Sequence, residues 1–225
     1  AGRLSVLRPE ALATMPQTPP VLSVAEMRAM FIRRLTEWQD AKYAERFAAL
    51  ADRAAAKVDG WDGGDDFVKT LMRGAYHVMA YKDEYAVARM HSDPAFLASI
   101  AQEFEGDYKL RFHLAPPLLS REDPRTGRPA KRAFGPWMHR AFRLLAPMKR
   151  LRGTLFDPFG HTAERRAERA LREDYLSRMK TLIETLTPET LPTAAAEAAR
   201  VLDVRGYGPV KAANLANWRE KLAHL

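Results

Sequence analysis

Apolar residues recur at helical spacing along most of the chain. Met27, Phe31, Leu35 and Trp38 stand three or four apart, and Ala44, Phe47, Ala48 and Ala51 continue one face. That spacing predicts a helix with one buried side. Ahead of the stripe, Ser23 and Glu26 form a capping box, each side chain able to satisfy the other residue's orphan N–H. A long helix from about 24 to 58 is expected, ended by the three glycines of Asp59–Asp66. A second stripe, Phe67, Leu71, Ala75, Val78 and Met79, starts near Asp65 and predicts a helix continuing past Tyr85 to His91. Asp93-Pro94 then sets a cap followed by proline in the first turn of a short helix through Leu97, Ile100 and Phe104, which Gly106 ends.

The pattern changes after that. Asp107 to Leu114 alternates like a strand, but no second strand is evident to pair with it. Pro116-Pro117 and the Pro124–Pro129 stretch oppose any regular element. Helical spacing returns around Phe142 and Leu145 between Trp137 and Lys149, with Pro147 interrupting it. Thr162 caps a helix carrying Leu171, Tyr175, Met179, Leu182 and Leu186. Thr187-Pro188 opens the next, and Pro209 opens the last, with Val210, Ala213, Leu215 and Leu222. Residues 1–22 hold four prolines without periodicity and read as a linker or extended arm. The expected fold is mostly α: one irregular multi-helix domain over 23–225 with a proline-rich, short-strand insertion around 107–135.

Composition narrows the chemistry. The chain has 225 residues, 47% hydrophobic, and no cysteine. That length and apolar content support a real core and exclude intrinsic disorder. Without cysteine the chain cannot hold a thiolate-bound iron–sulfur cluster, a disulfide or a Cys-type zinc site, as a reducing cytosol would tolerate. The six histidines are scattered singly, so no metal ligand is assigned, and no Gly-x-Ser-x-Gly nucleophile motif occurs. No stretch is long and apolar enough to span a bilayer, and the N-terminus lacks a secretory signal pattern. The start at Ala1 rather than Met suggests a fragment.

Charge is uneven. The net +8 comes from residues 107–153, which carry 12 Lys/Arg against 3 Asp/Glu. Such a segment would attract a polyanion, an acidic protein or a phosphorylated cofactor, unless it is simply a solvated basic loop. Four constellations could serve as anion or partner sites. Lys82 and Arg89 flank Asp83 and Glu84 between two tyrosines, either holding a ligand edge or lacing a helix to its neighbour. Lys109, Arg111 and His113 share one side of the extended segment, with Leu110, Phe112 and Leu114 on the other. Arg165 and Arg166 sit near a helix N-terminus, where the dipole disfavours cations unless phosphate or a tertiary carboxylate is close. Arg205 and Lys211 bracket Gly206-Tyr-Gly208, which could cradle phosphate, act as a helix-hairpin-helix turn on DNA over Gly206–Ala212, or merely join two helices. No catalytic residue is assigned.

Several motifs in order carry a family resemblance: Trp38-Gln-Asp-Ala-Lys-Tyr43, Tyr81-Lys-Asp-Glu-Tyr85 with Val87-Ala-Arg89, and Leu110 through Leu119. Phe134-Gly-Pro-Trp-Met138, Asp157-Pro-Phe-Gly160 with Thr162 to Arg166, and Arg205-Gly-Tyr-Gly208 with Val210-Lys211 complete the set. From about residue 24 to 222 the chain resembles the C-terminal region of fused indolepyruvate ferredoxin oxidoreductases, in the thiamine-diphosphate-dependent 2-oxoacid:ferredoxin oxidoreductase group. The resemblance implies an enzyme that oxidatively decarboxylates aryl pyruvates to acyl-CoA and passes electrons through iron–sulfur clusters to ferredoxin. It also implies a cytoplasmic location and a homo-oligomer for the full enzyme, with thiamine diphosphate, Mg and the clusters as its cofactors. None of these is expected on this fragment: the Gly-Asp-Gly of thiamine sites is absent, and no cysteine is available for a cluster. The implied role is an accessory helical domain that docks on the rest of the oxidoreductase polypeptide, or meets ferredoxin or coenzyme A. The alternative is a basic helical nucleic-acid-binding module.

Overall fold

The computed structural model describes residues 21–104, 109–114, 130, 132–206 and 209–223. Ser23 Oγ accepts from Glu26 N, and the Glu26 carboxylate accepts from Ser23 N, so the capping box forms and starts helix α1, Val24–Trp38. The expected single helix to residue 58 is two helices. The chain turns at Gln39 (φ −126°, ψ −86°), and Asp40 caps α2, Ala41–Lys57, by accepting from Tyr43 N at 2.8 Å. The turn lets both stripes face each other. Arg28 pairs with Asp52, the Phe31 and Phe47 rings meet at 5.8 Å, and Trp38 lies against Tyr43, a register that makes α1 and α2 antiparallel. A straight helix of 35 residues would have left half of this apolar face in water.

Helix α3, Gly64–Met79, is the centre of the main core. Gly60 and Gly63 lead into it at φ 73° and 72°, conformations that cost other residues strain. Here too the expected helix is shorter. It stops at Met79, and a new one, α4 (Glu84–Ser92), begins where Asp83 accepts from Ala86 N. Helix α5, Pro94–Glu103, is capped by Asp93 with proline in its first turn, as expected. Gly106 and the Pro116–Pro129 stretch lie outside the described residues.

The strand has a partner. β1, Phe112–Leu114, pairs antiparallel with β2, Arg132–Phe134, in the register Phe112↔Phe134, His113↔Ala133 and Leu114↔Arg132. Ala133 and Arg132 alternate too weakly for the pattern to show a strand. Helix α6, Met138–Leu145, runs into a 3-10 turn at Ala146–Leu151, the deviation expected at Pro147. Helix α7 spans Ala163–Thr185 behind its Thr162 cap. Helix α8 begins at Leu191 rather than at Pro188, because Thr187 to Thr190 closes into a hydroxyl-bonded turn. A short 3-10 turn at Val201–Asp203 leads toward α9, Pro209–Ala223.

Two apolar clusters result. The larger joins α1, α2, α3, α7 and α8, with Leu215 and Trp218 of α9 added at its edge. The smaller holds Ala88, Phe112, Met138 and Phe142, so α4, the ribbon and α6 share it. The fold is mostly α, as its hydrophobic periodicity requires.

Candidate functional site

Between the two clusters lies a knot of charged and aromatic side chains. It forms where three helix ends meet. The last carbonyls of α1 have no helical partners of their own. Lys149 Nζ donates to Thr36 O and Glu37 O at 3.3 and 2.5 Å, and Arg152 Nη1 donates to Trp38 O at 2.5 Å and Gln39 Oε1 at 2.8 Å. Both cations also suit the negative end of the α1 dipole. At the end of α3, Trp38 Nε1 donates to Tyr81 O at 3.1 Å and the Tyr43 hydroxyl to Met79 O at 2.9 Å.

Arg152 is the centre. Its Nε and Nη2 reach Asp83 Oδ2 and Oδ1 at 2.6 and 3.0 Å, a two-pronged pair with side chains only 6% and 3% exposed. The guanidinium also lies 3.6 Å over the Trp38 ring and 5.4 Å from that of Tyr85. Asp83 therefore neutralises Arg152 and caps α4 at once. On the other side, Tyr85 donates to Asp157 Oδ1 at 2.9 Å. Asp157 also accepts from Gly153 N and Phe159 N, and a Cβ at Gly160 would stand 2.5 Å from its Oδ2. Burial alone would raise the Asp157 carboxyl, but these donors outweigh it and hold it below the usual range. Arg165 closes the knot with two bonds to Glu84 at 3.2 and 3.4 Å.

This arrangement stabilises charge rather than moving it. Every ionised group at its centre has its partner. The phenols are held neutral: burial, with Asp83 nearby, pushes Tyr81 up to about 12, and burial with the Asp157 bond raises Tyr85 further. Among the described residues no group of three or more His, Asp or Glu is placed to hold a metal ion. The Trp38–Tyr43, Tyr81–Tyr85, Asp157–Gly160 and Thr162–Arg166 segments all meet here. Each supplies part of one junction.

The nine anion or partner candidates fall in three places. Arg165 and Arg89 border the knot, Arg89 pairing with Glu37 at 3.2 Å, while Lys82 beside them is exposed and Arg166 points to solvent. Arg89 thus laces α4 to α1, and Arg165 has the Glu84 carboxylate as its tertiary partner. Lys109, Arg111 and His113 are exposed along the outer side of β1, with Phe112 buried behind them, as their alternation implies. Arg205 and Lys211 lie near the start of α9. Lys211 Nζ is 2.6 and 2.7 Å from the two carboxylate oxygens of buried Glu168, and Arg205 Nε folds back onto Leu202 O. Residues 207 and 208 of that turn lie outside the described ones. Sequence reading missed Arg152 and Lys149, counting them only in the basic excess of 107–153. Nothing local marks them, since their partners are more than 60 residues away.

Two open hollows occur on the described surface. One, of about 630 Å³, lies among α7, α8 and α9, with Ser177, Thr181 and Trp218 beside the ion pair of Arg178 and Glu197. The other, of about 600 Å³, lies over the acidic loop from Val58 to Asp66. Neither adjoins the knot.

Two histidines add a pH dependence. His77 Nε2 donates to Val204 O at 3.0 Å, and His91 stacks on Phe142 with ring centroids 5.1 Å apart. Burial lowers both, with Lys82 adding to the effect at His91. The folded chain thus keeps them neutral while the unfolded chain binds protons from about pH 6.5 downward. Stability is therefore complete above that pH and falls below it. The urea midpoint should drop between pH 7.5 and 5, and His77→Gln should flatten part of that drop; an unchanged slope would exclude His77 as a source.

No helix among the described residues is long and apolar enough to cross a membrane. No curated protein and no solved structure matches the chain. One family does match, over residues 24–224, from the start of α1 to the last turn of α9, and so takes in every segment of the knot. The chain therefore belongs to the family of unknown function DUF6537.

Proposed function

We propose that this chain is the accessory C-terminal helical domain of an indolepyruvate, or more broadly aryl 2-oxoacid, ferredoxin oxidoreductase. The ordered set of motifs from Trp38 to Lys211 carries this reading. The meeting of four of them, Trp38–Tyr43, Tyr81–Tyr85, Asp157–Gly160 and Thr162–Arg166, at one junction supports it, because residues that must fit together are a stronger resemblance than separate short matches. In this reading the domain has no active site of its own. Thiamine diphosphate, Mg and the iron–sulfur clusters belong to the rest of a cytoplasmic, homo-oligomeric enzyme, and this domain serves docking or assembly. A saturated, rigid knot suits that work: it fixes the angle between the two apolar clusters and so the shape of the surface they present.

Ferredoxin and coenzyme A remain the anionic partners in this proposal, and the exposed Lys109, Arg111 and His113 are the residues we assign to meeting them. The nucleic-acid alternative has less support, since Lys211 of its turn is committed to Glu168. The test is the native reading frame together with activity. A thiamine-binding and cluster-binding portion encoded upstream of Ala1 is expected. In that full enzyme, Lys109→Glu with Arg111→Glu should raise the KM for ferredoxin or coenzyme A and leave that for the 2-oxoacid unchanged. A start codon at Ala1 with no such portion would sink the proposal.

A further inference from the structure

The segment from Gly135 to Phe156 has two unlike sides. Its inner side is sealed: Met138 and Phe142 fill the small cluster, while Lys149 and Arg152 reach the end of α1. Its exposed residues include large apolar ones. Trp137 is 59% exposed, Leu144 74%, Leu155 88% and Phe156 80%. The loop that carries the last two is built rather than slack. Asp157 accepts from Gly153 N at its start, Thr154 Oγ1 accepts from Phe156 N, and the 3-10 turn before it closes with Arg152 N on Lys149 O. A fixed backbone thus holds two large apolar side chains out in water, which a protein surface rarely does without a partner.

Charge says which partner. No Asp or Glu occurs from residue 124 to 156. Arg140, Arg143 and Arg150 are exposed in the same segment, and none of their guanidiniums has a hydrogen-bond or ion-pair partner among the described residues. Arginine, tryptophan and phenylalanine are the residues enriched where proteins meet, and arginine pairs with carboxylates through two parallel bonds. A lipid-bound helix would instead need a continuous apolar stripe, whereas α6 has eight residues and the apolar groups come from a turn, a helix and a loop.

We propose that this face docks a folded protein surface with an apolar centre and a rim of Asp and Glu. The inference rests on the oxidoreductase reading in placing that surface on the catalytic portion of the same enzyme. Leu144, Leu155 and Phe156 supply the apolar contact, and the three arginines supply the charge that orients it.

The experiment uses the complete oxidoreductase with a benzophenone amino acid in place of Phe156, and the same probe at exposed Lys180 of α7 as control. On illumination, the Phe156 probe should join a segment of the catalytic portion in which apolar residues are flanked by Asp or Glu. Arg140→Glu with Arg143→Glu should lower the yield roughly fivefold or more, and Leu155→Ser, at a side chain 88% exposed, should lower it too. A yield no higher than at Lys180, or one untouched by both changes, overturns the docking face and leaves the oxidoreductase reading standing. Adducts to phospholipid or nucleic acid overturn it in favour of those partners. A reading frame without a catalytic portion ends both, and shows itself in the gene rather than in the cross-link map.

Discussion

Arg152→Met is expected to destabilise the chain by about 3–5 kcal/mol, because it strands a buried carboxylate. Asp83 is 3% exposed at its side chain, and Arg152 is its only cation within bonding distance among the described residues. The substitution also frees the carbonyl of Trp38 and removes the cation over the indole. For a chain of this size the loss corresponds to a melting point lower by roughly 10 °C. Arg152→Lys should recover little, since one ammonium cannot make two parallel bonds to Asp83 and also reach Trp38 O and Gln39. The double change Asp83→Asn with Arg152→Met should be less damaging than the two single losses added together, because no charge is then left unpaired. Thermal unfolding of the four proteins decides the matter. Additive losses would mean that Asp83 and Arg152 act separately and that the knot is not one unit.

Gly74→Ala should also destabilise, against the usual rule. In an ordinary helix interior, alanine is favoured over glycine by about 1 kcal/mol. In α3 the added Cβ would overlap the Tyr175 hydroxyl and stand 2.7 Å from its ring carbon and 3.0 Å from Ala198 O. Tyr175 cannot yield cheaply. It is fully buried, and its hydroxyl donates to Ala198 O at 3.1 Å. A net loss of about 2 kcal/mol is expected, in the range for overpacked cores. Tyr175→Phe on its own should cost about 1 kcal/mol for the lost hydrogen bond. Combined with Gly74→Ala it should recover part of the loss, because the closest clash disappears. Urea midpoints at constant slope give these numbers. A Gly74→Ala protein as stable as the parent would show that α3 and α7 are free to move apart.

Both substitutions act on features that local pattern could not reveal. The capping residues Ser23, Asp93 and Thr162 were legible because a cap acts within four residues of itself. The buried stripes were legible for the same reason, since a helix brings residues three and four apart onto one face. The breaks after Trp38 and after Met79 were not. Gln39-Asp40 and Tyr81 to Asp83 carry neither glycine nor proline, and each could continue a helix on propensity alone. What ends α1 is Arg152 and Lys149 taking its last carbonyls. At the end of α3 Tyr43 takes the Met79 carbonyl and Trp38 that of Tyr81, just beyond the helix. Those donors lie 36 to 114 residues away in the chain.

The candidate cations divide along the same line. Lys109, Arg111 and His113 stand outward because strand alternation puts them there, and alternation is visible in the residues themselves. For Arg165, Arg205 and Lys211, residue type and helix position suggested an anion, but only the packed chain showed which acceptor each takes: the Glu84 carboxylate, the Leu202 carbonyl and the Glu168 carboxylate. Helix class, caps and the location of the basic excess thus follow from interactions a few residues long. Helix ends, the β2 partner strand and the choice of which cations stay free follow from contacts across the chain. Burial makes the latter strict, because a buried carbonyl or carboxylate must find a donor wherever the fold can bring one.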